Sequence, residues 1–150
     1  MAQARARLLT AVVVVGAVGL AVEMGNPNTA SAAQAAKECW ALTNLQGQSA
    51  ASGDDYRLGS DKFANPMVLC FAEETGTVTG DDSIFIRFGP STLAGGAQAN
   101  GLELFEVYQI DRERKKVLFI KSRVGPDRVL PGAAGFIGAF VGDATPLTAK

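Results

Sequence analysis

The chain has 150 residues, with 14 basic and 15 acidic side chains, two cysteines and no histidine. The lack of histidine excludes Ser-His-Asp and Cys-His catalytic arrangements and removes the commonest metal ligand. The nearly balanced charge excludes a general electrostatic attraction to nucleic acid. We therefore expect no catalytic residues of these classes, no metal site, no cofactor and no nucleic-acid partner.

Residues 1–32 have the features of a secretory signal peptide. Two arginines precede an apolar run over residues 8–22, and the segment ends in small residues. This order is typical of exported proteins. Cleavage after Ala32 is our choice, and cleavage after Ala35 also satisfies the small-residue rule. An uncleaved anchor is the alternative, but the apolar run falls short of the roughly 20 residues that span a bilayer.

Cleavage leaves residues 33–150 as one domain with 12 basic and 14 acidic residues, which we place in the periplasm or outside the cell. We expect no stable membrane span in this part. Cys39 and Cys70 both lie in it. In an oxidising compartment the expected state of two such cysteines is a disulfide bond. Two buried free thiols are the alternative.

The sequence pattern of residues 33–150 predicts short antiparallel strands over most of its length. Segments 46–61 and 95–101 are rich in Gly, Ser, Ala and Asp, so we predict them as loops. Strands are expected at 38–45, 67–71, 77–79, 83–88, 91–94 and within 102–124. Strands at such close spacing predict a mainly β fold, either a small antiparallel barrel or a sandwich with meander connections.

A hairpin over residues 102–124 is the most specific of these predictions. The register that places Glu106 opposite Lys121 also places Tyr108 opposite Phe119 and leaves a four-residue charged loop. Each directly opposed pair contributes roughly 0.2–1 kcal/mol. A shift of one residue would break the charge pair and move every side chain to the other face.

The basic tip of this hairpin carries Arg112, Arg114, Lys115 and Lys116. Such a tip could contact anionic lipid or an acidic polymer. The neighbouring acidic residues dilute its charge, which favours a solvated hairpin end that discourages edge aggregation.

Residues 131–141 are predicted as a short C-terminal helix that begins at its proline. This helix would gather four large apolar residues on one side, namely Phe136, Ile137, Phe140 and Val141. We expect that side to lie over an open end or edge of the sheet. Contact with a membrane or a partner is the alternative.

Both faces of the 102–124 hairpin carry large apolar groups. One face has Glu106, Tyr108, Phe119, Lys121 and Arg123, and the other has Phe105, Val107, Leu118, Ile120 and Val124. This pattern is expected when one face packs the core and the other lines a cavity or meets another element. Alternation does not say which face is interior. We predict the charged and aromatic face as the ligand-binding one, and exterior salt-bridging groups are the alternative.

These features predict an exported, non-enzymatic binding protein that holds a small or partly apolar ligand in a barrel-like domain. The alternative is an envelope or secreted protein-interaction module, an inhibitor or accessory protein, that contacts its partner through 46–61 and 95–101. Adjacent carboxylates such as Asp81 and Asp82 are interpreted as turn residues. An enzyme without histidine would need a deep cleft containing convergent carboxylates or Lys121.

Overall fold

The computed structural model describes residues 37–148, so the predicted signal peptide at 1–32 lies outside the described residues. Nine strands form one antiparallel sheet. The strands are Glu38–Ala51 (β1), Gly59–Phe63 (β2), Met67–Phe71 (β3), Thr75–Val78 (β4), Ile84–Gly89 (β5), Thr92–Ala99 (β6), Leu102–Asp111 (β7), Lys116–Val124 (β8) and Phe136–Leu147 (β9).

The first and last strands close this sheet into a barrel. β1 pairs with β9 along one edge and with β3 along the other, so β1 and β3–β9 form a closed wall of eight strands. β2 continues the line of β3 beside the second half of β1. Of the two predicted architectures, the barrel is therefore the correct one.

The interior of the barrel is filled by aromatic and aliphatic side chains. Tyr108 stacks on Phe119 with ring centroids 4.4 Å apart, and Phe85 meets Tyr108 edge-on at 5.8 Å. The buried core comprises fourteen side chains drawn from every barrel strand. Burying a large apolar side chain contributes about 1.5–3 kcal/mol. A wall of eight strands is just wide enough for side chains to fill it.

The predicted hairpin register is confirmed. Asp111 lies opposite Lys116, and Glu106 lies opposite Lys121. The loop between the strands is closed locally, because the Asp111 carboxylate accepts the backbone N–H of Arg114 at 2.9 Å.

The predicted disulfide is also present. Cys39 and Cys70 lie opposite each other in the β1–β3 pair, and their sulfur atoms are 2.10 Å apart. The bond links two strands separated by 31 positions in the sequence. In the chain-entropy description, a disulfide that closes a loop of this order stabilises a fold by about 3 kcal/mol.

Residues 46–61, predicted as a loop, are largely strand. β1 continues to Ala51 because Asn44 adopts a positive φ of 54° at a bulge, which restores pairing with β9. Only a short turn around Ser52–Asp54 follows before β2 starts at Gly59. The small residues of this segment are compatible with a strand because one edge of β1 pairs with β9 and the other edge pairs with β2.

Residues 95–101 are also wrongly predicted as a loop, since they form the end of β6 and a two-residue turn. Asn100 and Gly101 have φ values of 53° and 80° and join two directly paired strands. Asn-Gly is the preferred sequence for this tight hairpin turn. Within the strand, Gly95 permits a close approach, because a Cβ added there would lie 2.1 Å from the Ile84 carbonyl oxygen.

The predicted C-terminal helix is wrong, because 131–141 contains a turn and the start of β9. In this strand inward and outward side chains alternate with a period of two. Gly138 faces inward, where the Phe140 ring takes the space that a side chain would occupy, 2.5 Å from an added Cβ. Within residues 37–148 no helix is long and apolar enough to cross a membrane.

Arg112 covers one end of the barrel. Its guanidinium lies 5.7 Å from the Trp40 ring centroid and 5.9 Å from that of Phe71. It also forms an ion pair with Glu38. The hydrogen bond from Arg112 holds the pKa of Glu38 below its ordinary value, although burial opposes this.

Candidate functional site

The predicted ligand-binding residues all lie on the interior face of β7 and β8. Glu106 is opposite Lys121, the Tyr108–Phe119 pair is next along the hairpin in one direction, and Arg123 follows in the other. The structure thus decides which hairpin face is interior. The opposite face, with Phe105 and its neighbours, lies on the outside of the barrel.

Glu106 is a fully buried acidic side chain within the barrel, with 0% of its surface exposed. Its Oε1 lies 2.5 Å from Lys121 Nζ, and the hydroxyl of Tyr108 donates a hydrogen bond to Oε2 at 3.0 Å. Burying an unpaired carboxylate costs several kcal/mol, roughly 20 kcal/mol in the idealised limit. The position therefore depends on these partners.

A second carboxyl group reaches the same point from the connection between β4 and β5. The carboxyl group of Asp81 lies close enough to that of Glu106 to shift its pKa. Its own orientation is fixed by the backbone N–H of Ser83, which donates to Asp81 Oδ1 at 2.8 Å. Two carboxyl groups and one ammonium group therefore meet inside the barrel.

The two carboxyl groups have pKa values shifted in opposite directions. Burial raises the pKa of Glu106, and the hydrogen bond with Asp81 raises it further, while Lys121 lowers it by less. Burial also acts to raise the pKa of Asp81, but hydrogen bonds from Glu106 and Ser83 bring it below its ordinary value. Opposite shifts are expected when two carboxyl groups share one proton. Of the two carboxyl groups, Glu106 therefore has the higher pKa and is the more readily protonated.

The phenol of Tyr108 completes the polar cluster. Burial raises the pKa of Tyr108, and the nearby Glu106 adds to this. The hydroxyl therefore stays protonated and acts as a donor. Phe119, stacked on the same ring, separates the cluster from the apolar core.

Arg123 is the predicted residue that does not join the cluster. Its Nε and Nη2 donate to the backbone oxygen of Ala133 at 3.0 and 2.6 Å, and its guanidinium lies 5.3 Å from the Phe136 ring centroid. These contacts tie the connection before β9 to the barrel end. Arg123 therefore organises the neighbourhood of the site.

Hydrogen bonding in the cluster is incomplete among the residues described. The buried Ser83 hydroxyl lies beside the Asp81 carboxyl group without a hydrogen bond of ordinary geometry, and Glu106 Oε1 has only the ion pair with Lys121. In native proteins the large majority of buried polar groups are hydrogen-bonded. About 20% of the Lys121 side chain remains exposed, so one side of the cluster is close to solvent.

This arrangement can exchange a proton and can hold a polar group. Over residues 37–148, no three Cys, Asp or Glu side chains are grouped so that they could hold a metal ion. Sequence reasoning did not find Asp81 and Ser83 as site residues. Both lie in a Gly- and Asp-rich turn, and no local pattern connects that turn with Glu106, 25 positions later.

Comparisons with protein-family models, with curated proteins and with solved structures found no match for this chain.

Proposed function

We propose that the protein is an exported, non-enzymatic binding protein that holds a small, partly apolar ligand at the Lys121 end of the barrel interior. The observation that carries this proposal is the cluster of Glu106, Asp81 and Lys121 in an otherwise apolar interior, in which Glu106 is fully buried and the Ser83 hydroxyl lies beside Asp81. Polar groups placed inside an apolar pocket commonly fix the orientation of a ligand.

In this proposal the ligand presents a polar group to Lys121 and Ser83. Lys121 contacts Glu106 and keeps part of its side chain exposed, so that its amino group can also meet an anionic or strongly accepting group of the ligand. The apolar part of the ligand lies against Leu104 and Phe136, which flank Arg123 in the next interior row. Leu104 and Phe136 are half-buried, in contrast to the fully buried core.

A binding role is favoured over catalysis by the contact between the two carboxyl groups. Acid–base catalysis by a carboxyl pair requires the groups on opposite sides of a reacting bond. Here the carboxyl groups of Asp81 and Glu106 contact each other.

The Cys39–Cys70 disulfide is compatible with an oxidising compartment. In this proposal the protein acts in the periplasm or outside the cell after loss of residues 1–32. Its partner there is a small molecule or an envelope protein.

The alternative of a loop-based interaction module has lost most of its basis. Residues 95–101 are strand and tight turn, and 46–61 present only the turn that carries Tyr56 and Leu58. An interaction surface, if the protein has one, is better sought on the outside of the sheet.

Native mass spectrometry of the protein purified from an oxidising compartment tests the ligand proposal. We expect a bound small molecule in the wild type that is lost from Lys121→Met. The matched control is Lys115→Met at the exposed hairpin tip, which should keep the ligand.

A fluorescent probe gives a second readout. Anilinonaphthalene sulfonate has an apolar body and an anionic group, and we expect Lys121→Met to weaken its binding about tenfold, equivalent to about 1.4 kcal/mol. Circular dichroism checks that both variants remain folded. The proposal would be contradicted if the wild type had the mass of the polypeptide alone and if Lys121→Met bound the probe as tightly as the wild type.

A further inference from the structure

The outside of β7–β9 carries a set of large apolar side chains that no described residue covers. We call this set the outer apolar face, and it consists of Phe105, Leu118, Ile120, Val124, Ile137 and Val141. Each exposes between 45% and 58% of its surface. On a β-sheet that packs its other side into a core, the outer side is normally polar. The outer apolar face therefore requires an explanation.

Strand register makes this face continuous. Leu118 is directly opposite Val141, and Ser122 is opposite both Phe105 and Ile137 on its two neighbouring strands. Directly opposed side chains have Cβ atoms about 4.5–5.5 Å apart. The exposed groups thus form one patch across three strands.

The size of the patch suits a protein interface. Six half-exposed side chains leave about 500 Å² of apolar surface, taking the lower part of the range of about 150–250 Å² for a large side chain because five of the six are aliphatic. That lies in the range of about 300–600 Å² for the largest patch on a typical monomer, and such patches are often functional. Two copies that cover this patch would bury about 1,000 Å² in total, which reaches the size of a small specific interface.

The face also contains both projections and hollows. Ala139 leaves a hollow of about 320 Å³ between Ile120, Ile137 and Leu58. A second hollow, of about 300 Å³, lies between Leu118, Ala139 and Val141. Phe105, two strands away from Ala139, is 52% exposed and projects from the same face.

Charge at the end of the face argues against an anionic membrane as its partner. Of the basic tip residues, Arg114 pairs with Asp111 at 2.9 Å and Lys116 pairs with Asp143 at 2.6 Å. Arg112 is engaged by Glu38. Membrane-surface binding relies on uncompensated basic residues beside an apolar face, and of the four tip residues only Lys115 forms no such pair with a described residue.

We propose that the outer apolar face is the interface of a homodimer, in which each copy covers the same face of the other. A two-fold axis that lies in the face and crosses β8 obliquely between Ile120 and Ser122 would place β7 of one copy across β9 of its partner. Phe105 would then enter the hollow at Ala139 of the second copy, and the reverse contact follows by symmetry. A face that carries its own complementary hollow is what such a self-complementary interface requires.

Sedimentation velocity over a range of concentrations tests this proposal on the full chain and on residues 33–150. We expect a reversible dimer in the wild type and a monomer in Ile120→Lys. The matched control is Phe88→Lys, since Phe88 is an exposed apolar residue on β5 outside the face. This control should still dimerise.

Cross-linking tests the arrangement of the two copies. We expect an interchain disulfide when differently tagged Phe105→Cys and Ala139→Cys chains are mixed and oxidised. Each variant alone should form far less cross-linked dimer, because residue 105 is not expected to face its own copy across the axis.

Three results would overturn the proposal. One is a full-length wild type that stays monomeric at all concentrations while residues 33–150 dimerise, which would mean that residues 1–32 of the same chain cover the face. Another is a monomeric wild type that sediments with anionic vesicles while Ile120→Lys does not, which would mean that the face binds lipid. The last is a dimer that survives Ile120→Lys or shows no mixed cross-link.

Discussion

The buried carboxyl group of Glu106 would destabilise the fold without the polar groups that surround it. This carboxyl group is enclosed by Asp81, Tyr108 and Lys121, each supplied by a different part of the chain. The direction of its pKa shift says that burial outweighs the nearby ammonium group. This has a consequence for stability that can be measured.

We expect Glu106→Gln to change how the free energy of unfolding depends on pH. Because the pKa of Glu106 is raised above 4.5 in the folded protein, the folded state takes up this proton at a higher pH than the unfolded state. The wild type should therefore gain stability relative to the variant as pH falls from neutral through the native pKa, with the gain complete below about 4.5. Urea unfolding at a series of pH values measures the difference.

Asp81→Asn provides the control of opposite sign. The pKa of Asp81 is lowered below 3.8 in the folded protein, so its contribution is present above that value and is lost as pH falls through the native pKa. A wild-type advantage over Glu106→Gln that grows with rising pH would show that Glu106 is ionised in the folded state.

At the scale of single elements, tight turns and bulges set the paths of the strands. The turn between β6 and β7 needs positive φ at both of its residues, Asn100 and Gly101. Asparagine tolerates this conformation and glycine adopts it without steric cost. The register of eight residue pairs depends on this turn.

We expect Gly101→Ala to lower the free energy of unfolding by about 1 kcal/mol or slightly more, because a Cβ is disfavoured at φ of 80°. Gly59→Ala is the control, since φ is not positive there and an added Cβ meets no atom within 4 Å. Chemical denaturation of both variants gives the comparison. Equal losses would mean that the turn conformation is not what makes Gly101 necessary.

A strand or turn could be predicted from the sequence where the residues that determine it lie close together in the chain. Opposed charges and aromatics fixed the β7–β8 register, and the export signal together with two cysteines led to the disulfide. The second half of β6 and the whole of β9 were missed because Gly and Ala at inward positions hide the period of two, although Asn100-Gly101 was a recognisable turn signal. The contact between Asp81 and Glu106 had no local signal, since it arises only when the barrel closes.

Across the whole molecule, the barrel wall is uneven. β7 and β8 share nine paired positions, whereas β4 and β5 share only two. The β4–β5 junction is therefore the weakest seam of the barrel, and it lies beside the turn that carries Asp81 and Ser83. A ligand that reaches Lys121 would have its easiest route there.

We expect backbone amides of β4 and β5 to exchange with deuterium faster than those of β7 and β8. Few ladder hydrogen bonds must break to open the seam, whereas the hairpin opens only with the barrel as a whole. Hydrogen exchange followed by mass spectrometry of peptides measures this. Uniform protection around the barrel would mean that the seam does not open on its own.

The pairing of β1 with β9 also constrains when the protein can fold. β1 is the first strand of the barrel, yet its partner is β9, the last strand described, as in the pair of Cys39 with Leu147. Nascent chains with such distant pairings stay open for longer and fold slowly. The wall therefore closes only after β9 has been synthesised, and until then the strands between can form at most an open sheet.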